Sequence, residues 1–129
     1  MKKEELIYEE ETFKIIGACM AVHNEMGCGF LEAAYQEALE IELKANEIPF
    51  ESQKNIPVFF KGKKLKKYYK ADFICFENII VEIKSALFMH QMGKAQVVNY
   101  LKATKYPVGL LINFGENSLQ WKRFINTKQ

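Results

Sequence analysis

The feature that most constrains this chain is a pair of short segments, Ala71-Asp72-Phe73-Ile74-Cys75-Phe76 and Ile79-Ile80-Val81-Glu82-Ile83, separated only by Glu77-Asn78. Successive residues of a strand point to opposite sides of a sheet, so Ala71, Phe73 and Cys75 are expected on one face and Asp72, Ile74 and Phe76 on the other, and both runs are mostly apolar on both faces. Strands of that kind belong at the centre of a sheet and need a covering layer on each side. The rest of the chain supplies those layers. Thr12 to Met26 places Phe13, Ile16, Met20 and Val22 on a helical pattern that stops at Gly27, and Leu31 to Asn46 follows as a second amphipathic helix across the tight link Gly27-Cys28-Gly29. Strands are predicted at Ile56 to Phe60, Tyr68 to Phe76, Ile79 to Ile83, Val108 to Asn113 and Leu119 to Ile125, and a third helix from about Phe88 to Thr104. The order is ααβββαββ, a mixed α/β (α+β) arrangement with a central sheet flanked by helices. No Pro/Gly/Ser-rich linker or repeat interrupts it, so residues 1–129 are read as a single domain.

Composition narrows the function classes. No apolar run approaches the roughly 20 residues of a membrane span, and Met1-Lys-Lys leads into acidic residues, so no membrane role and a cytoplasmic location are expected. Cys19, Cys28 and Cys75 form no CxxC pair, and His23 and His90 offer no ligand spacing. The cysteines read as small buried hydrophobes, and His23 as structural. The charge is unevenly spread: residues 52–71 hold seven Lys and no acid. Of the sixteen acids, only Asp72 is an aspartate.

Asp72, Glu82 and Lys84 are charges near the ends of otherwise buried strands, where an uncompensated charge costs several kcal/mol or neutralises by shifting its pKa. Two explanations fit the three residues alone: an internal ion network, or a divalent metal held by the two carboxylates with the lysine beside it. Glu42-Leu43-Lys44 repeats the Glu-Xaa-Lys spacing within a helix, where residues two apart diverge around the axis. Only on a strand does that spacing put carboxylate and ammonium on one face.

Asp72 on one strand and Glu82-Ile83-Lys84 on the next, within this element order, resemble the PD-(D/E)xK nuclease superfamily and imply a restriction-endonuclease-like core. Gly29-Phe30-Leu31-Glu32-Ala33-Ala34-Tyr35 is similar to the signature of its GxxExxY family, and Gln96-Val97-Val98-Asn99-Tyr100 to the Gln-x-x-x-Tyr element. Ala71 stands where the superfamily name has Pro, which removes no charged group. The resemblance implies a nuclease hydrolysing phosphodiester bonds of DNA or RNA with Mg²⁺ or Mn²⁺. Asp72, Glu82 and the backbone carbonyl of Ile83 would hold metal, and Lys84 would act on the attacking water. Glu32 would reach the metal through water, and Gln96 and Tyr100 would contact phosphate or order the site. The alternative is a non-catalytic module that binds nucleic acid or protein on the same fold.

The lysines of the 61–70 segment have two readings of their own. They keep a sheet edge from pairing with other chains, or Lys63, Lys64, Lys66, Lys67 and Lys70 hold a polyanion against the site. Tyr68 and Tyr69 alternate across the strand, so only one can face nucleic acid. No helix-turn-helix or zinc module is visible, and a homodimer or protein partner would have to supply sequence specificity.

Overall fold

The computed structural model describes residues 7–88 and 91–126. Its elements are α1 (Glu9–Met26), α2 (Glu32–Ala45), β1 (Phe50–Phe60), β2 (Lys63–Cys75), β3 (Ile79–Lys84), α3 (Gln91–Thr104), β4 (Val108–Asn113) and β5 (Gln120–Ile125). The predicted ααβββαββ order holds, and the strands form one five-stranded sheet in the order β1-β2-β3-β4-β5. β3 and β4 run parallel, as an α3 crossover requires, and every other neighbouring pair is antiparallel.

Two apolar layers hold the sheet. On one face Ile15, Cys19 and Val22 of α1 and Tyr35, Leu39 and Leu43 of α2 pack with Phe73, Cys75, Val81, Ile83, Leu110 and Ile112. On the other, Leu101 of α3 packs with Ile56, Tyr69, Ala71, Ile74 and Ile80. β3 and β4, covered on both sides, are buried along almost their whole length. Gly109 lets α3 lie directly on β4: a Cβ there would come within 2.9 Å of Val97 and 3.3 Å of Leu101.

β1 and β2 extend well beyond their predicted limits. Residues 50–55 and 63–67 are mostly polar and lack apolar alternation, so local pattern does not mark them as strand; they are recruited by the partner strand, 50–55 by pairing with residues of the 70–75 segment, and Lys63 and Lys64 by pairing with Phe60 and Phe59. Lys61 and Gly62, both with positive φ, close this ribbon in the two-residue turn suited to a twisted hairpin. Before Phe73 the ribbon parts from β3, because the β2–β3 ladder comprises only Phe73↔Val81, Ile74↔Ile80 and Cys75↔Ile79.

Two expectations need correction. Ala71 does not share a face with Phe73 and Cys75, because alternation breaks at Asp72 and puts Ala71 and Tyr69 on the α3 side with Ile74. The break has a partner across the ladder: the β1–β2 register steps from Ser52↔Phe73 to Lys54↔Ala71, and the skipped Gln53 has φ +53°. Cys28 is exposed, unlike Cys19 and Cys75, since it sits in the surface link between two glycines of positive φ. His23 is structural as expected, with its Nε2 2.9 Å from the Glu116 carbonyl; His90 lies outside the described residues.

Candidate active site

Asp72 and Glu82 meet where β2 and β3 part. Instead of a backbone ladder, the Asp72 N–H donates to Glu82 Oε2 at 2.9 Å and the Ile83 N–H donates to Asp72 Oδ2 at 2.8 Å. Each carboxylate thus spends one oxygen closing the gap between the strands. Gln53 approaches Asp72 Oδ1 at 3.5 Å, and Gln36 of α2 donates to the Asp72 carbonyl at 3.3 Å. The Ile83 carbonyl leaves β3 on the same edge as its N–H, into the same gap.

Burial and mutual repulsion set the electrostatics. Glu82 is 8% exposed. Burial first, and the neighbouring Asp72 second, push its carboxyl up to about 7, against the opposing influence of Tyr69, the Asp72 N–H and Lys84. Burial also raises Asp72, opposed by the Ile83 N–H, Lys84 and Gln53. Lys84 pulls both carboxyls down yet forms no ion pair: the one salt bridge among the described residues joins Lys54 and Glu51. No direct ion pair among the described residues compensates these charges; Lys84 acts on both carboxyls only from a distance.

A cleft of about 450 Å³ opens over Glu82, lined by Lys67, Tyr68, Tyr69 and Lys70 of β2, Lys84 of β3, and Gln96 and Tyr100 of α3. The α3 pair arrives here because helix periodicity puts residues four apart on one face and Leu101 anchors the helix to the sheet. Tyr69 stacks on Tyr100 with ring centroids 3.7 Å apart. The Tyr69 hydroxyl is buried without a hydrogen bond of ordinary geometry, yet it lies near enough to Glu82 that this carboxylate, after burial, raises its pKa. Lys63, Lys64 and Lys66 are exposed farther along the ribbon and do not line the cleft.

Glu32 stands apart from the carboxylate pair. It is exposed at the first position of α2, one turn before Gln36, and no third acidic, His or Cys side chain joins Asp72 and Glu82 among the described residues. Its signature companion Tyr35 is a structural anchor: fully buried, it stacks on Phe114 at 4.6 Å, donates to the Gly27 carbonyl at 2.5 Å and accepts from the Phe30 N–H at 3.3 Å. Sequence reasoning missed Gln36, Gln53 and Tyr69. Gln36 carried a faint signal, one helical turn after Glu32; Gln53 carried none, because its role depends on a left-handed backbone opposite Asp72.

The end of β3 is held from behind. Phe114 N–H donates to the Lys84 carbonyl at 2.8 Å, and the fully buried Asn113 exchanges 3.0 Å bonds with both backbone groups of Ala86. Gly115 permits this approach, since a Cβ would sit 2.2 Å from the Ala86 oxygen.

The donor set fits a hard divalent cation. Two juxtaposed carboxylates, a backbone carbonyl and no all-protein cage suit an ion such as Mg²⁺, which keeps several of its waters. A mixed sheet between helical layers, with two carboxylates and a lysine where its central strands part, defines a restriction-endonuclease-like domain. The family model of the PD-(D/E)XK nuclease superfamily matches residues 9–124, and the chain belongs to that superfamily. The crystal structure of SSO0001 has a similar fold, with a TM-score of 0.56 at 19% identity over 95% of this chain; the chain spans 61% of that protein's length. No curated protein matches the chain. No helix among the described residues is long and apolar enough to cross a membrane.

Proposed function

We propose that the chain is a Mg²⁺- or Mn²⁺-dependent nuclease of the GxxExxY branch, hydrolysing phosphodiester bonds of DNA or RNA. The observation that carries this reading is the Asp72–Glu82 pair, two carboxylates held together against their own repulsion with Lys84 adjacent and unpaired. An arrangement that burial and repulsion both disfavour is explained if a cation relieves it. Asp72, Glu82 and the Ile83 carbonyl would hold the metal, which when bound polarises phosphate oxygen and makes water a better nucleophile.

The other roles belong to this chain's own groups. Lys84 orients the attacking water and offsets negative charge as the phosphate is attacked. Gln96 and Tyr100 bond phosphate oxygens from the α3 wall, and Lys67 and Lys70 draw the polyanion to the rim, with Lys63, Lys64 and Lys66 extending that attraction along the ribbon. The GxxExxY assignment draws support from the division of labour in the signature. Gly29, at φ +114°, and Tyr35 build the α1–α2 link, whereas Glu32 is exposed and makes no hydrogen bond or ion pair among the described residues, which leaves it available to reach the metal through water.

The deciding experiment is cleavage of labelled single- and double-stranded DNA and RNA with Mg²⁺, Mn²⁺ or EDTA, using wild type, Asp72→Asn and Lys84→Ala purified identically. Metal-dependent cleavage lost in both variants is the expected result. Equal residual activity in all three would identify a contaminant, and binding without product would favour the non-catalytic module.

A further inference from the structure

We propose that the cleft over Glu82 takes a single unpaired nucleic-acid strand and not an intact double helix. The inference rests on the nucleic-acid reading above and names the substrate class of that site.

Recession of the carboxylates is the first argument. Glu82, 8% exposed, forms part of the cleft lining, and Asp72 is half-buried beside it. Phosphates line the outside of an intact duplex, but each is fixed to a stiff backbone with stacked pairs behind it, so it enters a narrow recess only as far as the walls clear the whole helix. Here the nucleic acid has to reach in, and an unpaired strand does so at low cost by unstacking one nucleotide.

The walls give the second argument. The ribbon and α3 touch through the Tyr69–Tyr100 stack and through Leu101 against Ile56 and Ala71. Widening the cleft toward a duplex would break both contacts. Its volume of about 450 Å³ suits a ligand of nucleotide size.

Rim chemistry completes the case. Tyr69 is committed to Tyr100, but Tyr68 is 56% exposed and lines the same cleft as Lys67 and Lys70. A free aromatic face beside lysines matches what single strands require, because every base offers a ring to stack and every linkage a charge.

The test is fluorescence anisotropy with 5′-labelled 12-mers in EDTA at low salt: single-stranded DNA, single-stranded RNA of the same sequence, and the blunt DNA duplex. At least one single strand should bind about tenfold or more tighter than the duplex, and the DNA and RNA arms tell which polymer is preferred. Tyr68→Ala should weaken strand binding about tenfold, a stack's worth, with duplex binding and melting temperature unchanged, while Tyr68→Trp should retain it. A duplex bound as tightly as either strand, or Tyr68→Ala binding like wild type, would overturn the inference. Strand preference without any Mg²⁺-dependent cleavage would sustain the inference and sink the catalytic reading. Duplex cleaved at least as fast as strand would do the reverse.

Discussion

Asp72 and Glu82 each hold a backbone N–H of the opposite strand, at 2.8 and 2.9 Å, at the point where the β2–β3 ladder ends. The carboxylates are therefore both a splice in the sheet and a pair of repelling charges, and stability and chemistry are linked through the same atoms.

Stability of the metal-free protein should fall as pH rises from about 4.5 to about 7. Glu82 sits near 7 in the fold against 4.5 ordinarily, so the native state holds more protons than the unfolded state across that window. Its contribution is complete below the window and lost above it, with a size of about 3 kcal/mol. Asp72, also raised, acts in the same direction. Thermal melts from pH 4 to 8 in EDTA check this, and saturating Mg²⁺ or Mn²⁺ should recover stability above pH 7 by mass action.

The sequence alone suggests that Asp72→Ala relieves repulsion and leaves the fold at least as stable. The bond from Ile83 adds a cost, because alanine leaves that buried N–H without a partner, worth about 1–3 kcal/mol. Asp72→Asn keeps an acceptor and removes the charge. It should melt higher than wild type in EDTA at pH 8, lose the cation-dependent gain, and cleave nothing; calorimetry of the two variants separates these effects.

Lys84→Ala should abolish cleavage while changing stability by less than about 0.5 kcal/mol at pH 4, where Glu82 is protonated in the fold and no ion pair is lost. Removing a cation that pulls both carboxyls down should also move the pH midpoint of the stability curve upward. Urea titrations at several pH values would show it. A large loss of stability in this variant would restore the ion-network explanation.

The signature's two polar side chains should separate cleanly. Tyr35→Phe removes the hydroxyl that joins Gly27 and Phe30 and should cost about 1–2 kcal/mol. Glu32→Gln should leave the melting temperature unchanged and lower the cleavage rate. Parallel melting and activity measurements on both variants decide it.

Gly115→Ala should be strongly destabilised, by about 3 kcal/mol or more, because its Cβ would drive into the Ala86 backbone. Any folded fraction should have reduced activity, since the same contact supports the strand end that carries Lys84.

Local pattern along the chain is enough for the order of elements and the two central strands: period-two and helical apolar spacing, glycines at turns, and charges conspicuous on buried strands. The superfamily was legible through motif residues instead, Asp72 with Glu82-Ile83-Lys84 and the Gly29–Tyr35 signature. The sequence by itself also brought Asp72, Glu82 and Lys84 forward as candidates. Tertiary structure decided what joins them. Gln53 and Asp72 face each other across a skipped pair, and that irregularity, invisible to alternation counting, turns Ala71 and Tyr69 toward α3. The polar halves of β1 and β2 become strand only by pairing, and Tyr69 meets Tyr100 only because the ribbon folds over a helix thirty-one residues away. The physical reason is range: a side chain's preference for burial is written in its neighbours along the chain, whereas cross-strand register and helix docking are set by contacts that exist only after the sheet has formed.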